Sequence, residues 1–426
     1  MAAASAAEAG EYSLEVVARE GGPAPLGETF QEVFSGYAAL NDAGAVGFAG
    51  ATDTTSYVLV HESDASLSVR ATRGDTAPGT GGSSFVDFSD VTLNDAGEVA
   101  FYATTDDVPP SAGFFRESAG SVSAVALDGD PAPDLAPATY VLGTTVVGFG
   151  PSIANNGDVA FYSQLSTSTL EGLFLDSAGT DSKIVARGDG APGTGGNSFL
   201  SVSAVPPFLS DVGHVIFWGR LTSGGLDGIF SASAGSLVPL VLEGDPSPVG
   251  GSFGPLGRPR TNASGQAVFF SEEALFVSSG GAEELIVSSG DPVPGGTHDL
   301  SVQYVSINDL GDVAFISLVG GNQVAYVYRA STGAITRVAQ KGDPLPGEAG
   351  KTLGTLLRIS SINRQRQVAL LAGLVDDPLP PVRAVFLASP PEYLPALGPR
   401  PGAILVGLLA IAGALVVGRL RRRAPA

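Results

Sequence analysis

The sequence predicts an all-β fold, a seven-bladed β-propeller of four-stranded antiparallel blades with an N-terminal strand closing the last blade, followed by one C-terminal transmembrane helix. Three observations predict it: a hairpin motif that returns seven times, a spacing between copies that suits four strands, and a strand count that balances only if the two ends pair. The first is best seen in residues 93–102, LNDAGEVAFY.

Aligned on its glycine, the motif gives Gly44, Gly97, Gly157, Gly213, Gly265 and Gly311, with Arg366 in the last copy. Four residues later stand Phe48, Phe101, Phe161, Phe217, Phe269, Phe315 and Leu370. Three residues before it, Asn41, Asn94, Asn262, Asn308 and Asn363 agree, while Ala154 and Ser210 do not. Apolar residues precede the turn and resume two positions after the glycine, which is a hairpin signature. The asparagine accepts a backbone hydrogen bond, and a glycine three residues on takes positive φ without a Cβ clash, as a type I turn with a G1 bulge requires. A calcium loop is the sharper alternative, but it needs acidic ligands at alternate positions over about twelve residues. Here one Asp is followed at once by apolar strand, so the motif reads as structural turn and no cofactor is expected.

The glycine spacings are 53, 60, 56, 52, 46 and 55 residues, which suits propeller blades rather than β-helix coils. A second repeated element, Gly-Asp-x-x-Pro, begins at Gly74, Gly129, Gly188, Gly244, Gly290 and Gly342 and marks a loop between units. Between hairpin and loop lie two more strand-like runs, the first typified by GFFR (113–116), GLFL (172–175) and GIF (228–230). The seventh copy has three strands before the prolines near 390, and residues 12–18 read as a strand without an earlier partner. Pairing the two closes the ring and leaves no open edge. Trp218 follows a core phenylalanine, where other copies carry Tyr102, Tyr162 and Phe270, and it reads as packing rather than as a sugar platform.

Composition narrows the function classes. Gly 58 and Pro 30 make about a fifth of 426 residues, turn-rich yet below the disordered range. The net charge is −21, and residues 391–426 carry five arginines and one acid, which leaves 17 basic and 42 acidic residues before them. That surface repels phosphate backbones, so nucleic acid is not an expected partner. With no cysteine, disulfides, zinc-thiolate sites and thiol catalysis are excluded. Lys351-Thr352 after Gly350 imitates a phosphate loop, but the earlier glycine is replaced by Leu345. No G-x-S-x-G or H-E-x-x-H occurs. His61, His214 and His298 fall in different copies, and His214 reads as solvent-exposed. Paired acids at Asp106-Asp107 and Asp376-Asp377, between second and third strands, are the binding-face candidates. They could bind calcium or do acid/base work; solvated loop charge is the favoured reading.

At the ends, residues 1–10 resemble the small-residue end of a signal peptide or form a disordered tail, and the true start is expected upstream. The propeller is expected over 11–389 and a proline-rich linker over 390–401. Residues 402–418 are uncharged and apolar, about 25 Å as a helix and the short limit for a bilayer. The basic stretch 419–426 holds that end in the cytoplasm and puts the propeller on the other side.

In LNDAGEVAF (93–101) and INDLGDVAF (307–315) above all, the chain resembles bacterial tandem-repeat proteins whose repeat is written NxxGxxAF and which carry interchangeable C-terminal anchors. It departs from that pattern at Ala154, Ser210 and Arg366. The tail resembles the PEP-CTERM class of sorting signals in layout, with Pro391-Glu392-Tyr393 where Pro-Glu-Pro is usual. Leu394 begins a sortase-like string in which Leu397 replaces the required threonine. The resemblance implies an exported, membrane-anchored protein and supplies no reaction. The expected role is a surface or periplasmic module binding a protein or glycan, with no catalysis evident. A carbohydrate-active or hydrolytic propeller using channel-mouth carboxylates, and a structural envelope component, stand as alternatives.

Overall fold

The computed structural model describes residues 12–33, 38–108, 111–143, 150–167, 170–202, 207–222, 224–233, 235–293, 295–301, 304–345, 350–375 and 382–391. The predicted end segments, 1–10 and 392–426, lie outside them, as does the pair Asp376-Asp377. No helix among the described residues is long and apolar enough to cross a membrane.

Seven antiparallel sheets follow one another around an axis, each meandering from an inner first strand to an outer fourth. Blade two is the most regular, with Phe85–Leu93, Val99–Thr105, Ala112–Ser118 and Ser121–Leu127 paired in that order. In blades one, three and four two short inner pieces pair with the same second strand; blade three has Tyr140–Val141 and Ser152–Ile153 on Val159–Leu165. Beyond the blades, Pro292–Val293 and Gly296–Thr297 form a small ribbon in the loop between blades five and six.

The ring closes as expected. Ser13–Arg19 is the outer strand of blade seven, beside Arg383–Ser389, with Leu14 opposite Ala388 and Val16 opposite Phe386. Its register slips between Val16 and Ala18. The fourth strand of blade two slips likewise between Ala124 and Ala126, so a segment from the far end of the chain adopts the geometry of a native fourth strand.

The turns are those the motif predicts. In blade one the Gly44 amide donates to the Asn41 carbonyl at 3.1 Å, Asn41 Oδ1 accepts the Ala45 amide at 2.9 Å, and Gly44 sits at φ +85°. Each Gly-Asp loop is also a local turn: the Asp75 carboxylate accepts the Thr72 amide at 2.9 Å, and Asp189 does the same for Ala186 at 2.8 Å.

The core lies within and between blades and is built on a repeated aromatic trio. The motif phenylalanine stacks on the aromatic of the third strand, as Phe101 on Phe115, Phe161 on Phe174 and Phe217 on Phe230, with centroids 5.6 to 5.8 Å apart. An aromatic at the entry to each blade's inner strand caps them edge-on: Phe85, Tyr140, Phe199 and Phe253, each 4.9 to 5.1 Å from the third-strand ring. In blade six that cap is His298, buried, 5.0 Å from Tyr326 and hydrogen-bonded through Nδ1 to Ser317 at 3.0 Å. Burial lowers its pKa, so it sits in the core as a neutral ring. The glycine of GFFR, GLFL and GIF leaves room for the trio; a Cβ on Gly228 would lie 2.5 Å from the Phe230 ring. Trp218 packs against the cluster of Ile229, Phe253 and Phe269, as a packing residue should.

Candidate functional site

The inner strands line a central channel of about 250 Å³, whose walls include Ala39, Val91, Ile153, Phe208, Arg260, Ser306 and Ile362. All seven motif turns gather at one end of it, because every first strand runs the same way and ends in that turn. The turn residues therefore do more than reverse the chain. Asn41 Nδ2 donates to the Asn94 carbonyl of the next blade at 3.1 Å, and Asn94 to Ala154 at 2.9 Å. The relay resumes at Asn262 to Asn308 at 2.9 Å, Asn308 to Asn363 at 2.8 Å, and Asn363 across the chain's closure to Asn41 at 3.0 Å. One amide side chain thus fastens its own turn through Oδ1 and the neighbouring blade through Nδ2, all of it buried.

The residue after the asparagine forms a second circle, nearer solvent, made of Asp42, Asp95, Asn155, Asp211, Ala263, Asp309 and Arg364. Asp95 Oδ1 accepts the Asp42 amide at 2.8 Å, Asn155 the Asp95 amide at 2.7 Å, and Asp211 the Asn155 amide at 2.7 Å. Asp309 accepts the Ala263 amide at 2.6 Å, and Asp42 the Arg364 amide at 2.8 Å. The guanidinium of Arg364 lies 3.2 Å from Asp42 and 2.9 Å from Asp309, while Asn155 Nδ2 donates to both Asp95 and Asp211. Four carboxylates and one guanidinium leave this rim with a charge of about −3. Crowding strips water from Asp42 and Asp211, which raises both pKa values; repulsion from Asp95 and Asp309 adds to that.

Asp106 and Asp107 lie at the opposite end of the strands and close their own blade. Asp106 accepts the Ser84 amide at 2.6 Å, and Asp107 accepts the hydroxyls of Ser83 and Thr105. Their paired appearance in sequence is a loop fastening, not a converging site. The three histidines remain in separate blades, and among the described residues no three His, Asp or Glu side chains converge to hold a metal. His214 differs from its expected exposure: it is half-buried, with Nδ1 3.2 Å from Ser231 Oγ and its ring against Gly265 of the next blade.

That contact belongs to a pattern. In four copies the residue after the turn position lies over the glycine of the following blade: Glu98 over Gly157, His214 over Gly265, Gln266 over Gly311 and Gln367 over Gly44. Asp312 is in the same position facing blade seven, where Arg366 replaces the glycine and points its Nε at the buried carboxylate at 2.8 Å.

Residues 3–165, 135–274 and 228–380 match one family, so the repeated architecture itself is what the family shares. The chain belongs to the DUF7453 family. It is a family of unknown function. No curated protein matches this DUF7453 chain. Among solved structures it is similar to TolB from Acinetobacter baumannii (12% identity, 73% of this chain and 64% of that one, TM-score 0.39). It is also similar to a puromycin-hydrolyzing peptidase of Mycobacterium tuberculosis (10%, 87% and 52%, 0.45) and to an oligogalacturonate lyase from Vibrio parahaemolyticus (10%, 92% and 100%, 0.32). The DUF7453 chain spans about two thirds of TolB and half of the peptidase. At such scores the likeness carries no argument about activity.

Proposed function

We propose that this propeller is an exported module, anchored in a membrane by residues 402–418, that binds a protein or glycan partner at the acidic rim of its channel. One observation carries the reading. Each rim carboxylate already has an oxygen committed to a backbone amide of the neighbouring blade, so the rim is a rigid, preorganised set of acceptors rather than a group free to cycle protons. Its charge suits a basic protein segment or a donor-rich sugar face. The raised pKa values of Asp42 and Asp211 favour the second reading, a hydrolytic or carbohydrate-active propeller. A structural envelope component is the third.

Binding of the purified full chain to a glycan array and to an oligolysine peptide separates them. The expected result is saturable binding to one probe, weakened by salt and by Asp95→Asn with Asp211→Asn, substitutions that keep an oxygen for the inter-blade bonds. Turnover of a bound glycan would replace the binding reading with the enzymatic one. Absence of binding to either probe would leave the structural role.

A further inference from the structure

The chain enters and leaves the propeller on one face, and it is the face that carries the rim. In blade seven the motif turn 363–367 sends Val368–Val375 away from the rim, and Arg383–Ser389 returns antiparallel to it, with Val368 opposite Ala388. The return ends beside the turn it started from, where Gln367 Nε2 donates to Ser389 Oγ at 3.0 Å. The outer strand begins at the same level, with Ser13 opposite Ser389 and its hydroxyl donating to the Ser389 carbonyl at 3.3 Å. Blades two and three join third strand to fourth at this level by the hairpins 119–120 and 178–179; blade seven has the two chain ends there instead. The rim face is also low. Its connections 62–66, 119–120, 178–179, 279–282 and 330–333 run two to five residues, whereas the Gly-Asp loops, such as 73–84 and 187–198, lie at the opposite end and run twelve.

We propose that the rim faces the membrane and that its partner is a basic protein segment held at the same bilayer surface. The inference rests on the anchored, rim-binding reading given above. Residues 390–401 separate the end of Arg383–Ser389 from the apolar stretch 402–418, and a chain of that length reaches at most about 40 Å. A tether leaving from the rim face holds that face toward the bilayer. Inverting the propeller would take about 23 Å of the reach to run down the length of the outer strand Ser13–Arg19, and the Gly-Asp loops stand beyond that. With a charge of about −3 at the rim, the face is repelled by anionic head groups rather than seated on them, so a gap remains between rim and lipid. A positively charged segment lying along the bilayer enters that gap from the side and meets acceptors already fixed in place. Confining both to one membrane also raises the concentration each sees of the other, toward the millimolar range of a short tether. The chain's own arginines at 419 and 421–423 stand across the bilayer in this reading and do not compete for the rim.

Two measurements on the full chain in lipid nanodiscs test this. Because the chain has no cysteine, a single fluorescent label at Ala96→Cys, on a rim turn, reports one face, and at Val108→Cys, 98% exposed at the other end of the same blade, the opposite one. Energy transfer to an acceptor on the lipid head groups is expected to be at least about twofold stronger from position 96, since Val99–Thr105 sets the two labels about 23 Å apart. Equal transfer, or stronger transfer from position 108, overturns the orientation. A chain that does not enter nanodiscs removes the anchored reading and this inference with it. For the partner, hexalysine linked to lipid in the same nanodisc is expected to displace labelled soluble hexalysine about tenfold more effectively than unlinked hexalysine does, and Asp95→Asn with Asp211→Asn is expected to weaken both. Equal displacement by the two forms overturns the partner assigned here and leaves rim binding standing; no binding of hexalysine in either form overturns it together with the basic-segment reading of the rim.

Discussion

Arg366 is where the sequence breaks its own rule, and Arg366→Gly is the perturbation that tests why. Six copies place glycine at this turn position with φ between +78° and +85°, and Arg366 holds φ +63°. A side chain in that left-handed region costs about 1–2 kcal/mol. On that ground alone Arg366→Gly should stabilise the protein. Against it stands the ion pair: Asp312 is 1% exposed, accepts the Ala330 amide at 2.9 Å, and meets Arg366 Nε at 2.8 Å. Removing one partner of a buried pair costs about 3–5 kcal/mol. Arg366 is 23% exposed, so water reaches the site and the lower end of that range applies. The balance is a net loss of about 1–2 kcal/mol, on the order of 2–4 °C in Tm by scanning calorimetry. The double variant Asp312→Gln with Arg366→Gly copies the neighbouring Gln266 and Gly311 arrangement and should recover most of the loss, giving a large favourable coupling in the double-mutant cycle. If Arg366→Gly melts at or above wild type, the arginine is merely tolerated and the compensation argument fails.

The remaining predictions concern the aromatic core and its buried charges. His298 has a lowered pKa in the fold, so below about pH 6.5 the unfolded chain binds the extra proton and stability is lost as pH falls. His298→Phe, which copies Phe253, should therefore gain Tm over wild type by a margin that widens from pH 7 to pH 5; a margin independent of pH would refute it. Asp181, hydrogen-bonded by the Tyr140 hydroxyl at 2.9 Å, has its pKa pushed up to about 6, chiefly by burial. The folded chain then binds more protons between about pH 4 and 6, so this group's contribution to stability falls as pH rises through that window. Asp181→Asn should raise Tm relative to wild type progressively across it, and parallel Tm curves would sink the assignment. Gly228→Ala forces a methyl against Phe230 and Leu242, with an expected loss of about 1–3 kcal/mol in denaturant unfolding, while the same change at the exposed turn-end Gly235, at φ +83°, should act through backbone strain alone.

How much of this was legible in the sequence follows from which interactions are local. The Asn-x-x-Gly turn is closed within five residues, so residue types at fixed offsets specify it, and the repetition multiplies a weak signal sevenfold. The closing strand was legible for a different reason: an unpaired strand at each end is a counting argument that needs no side-chain detail. One misreading has a physical cause. His214 looked exposed because its position follows a turn, yet what lies over that position is the next blade's glycine, about fifty residues away. Asp106 and Asp107 read chiefly as solvated loop charge, and the structure gives each a partner in a serine of the preceding loop that adjacency in sequence does not reveal.

The rim itself was half visible. Asp follows Asn or its replacement in four of the copies, at Asp42, Asp95, Asp211 and Asp309, and in sequence alone a carboxylate recurring beside a turn reads only as a failed calcium loop. Nothing in a single repeat says that this carboxylate reaches the backbone of the next one, because the partner is set by ring curvature and not by sequence distance. The same curvature explains why the departures at Ala154, Ser210, Ala263 and Arg366 cannot be weighed one at a time. Ala154 costs little where Asn155 reaches Asp211, and Arg366 is matched by Asp312, but Ser210 and Ala263 fall on the two sides of one junction. A departure matters by which neighbour it meets, so irregularities that look equivalent in the repeat alignment are answered by different partners around the ring, an inter-blade amide bond beside Ala154 and a buried ion pair at Arg366.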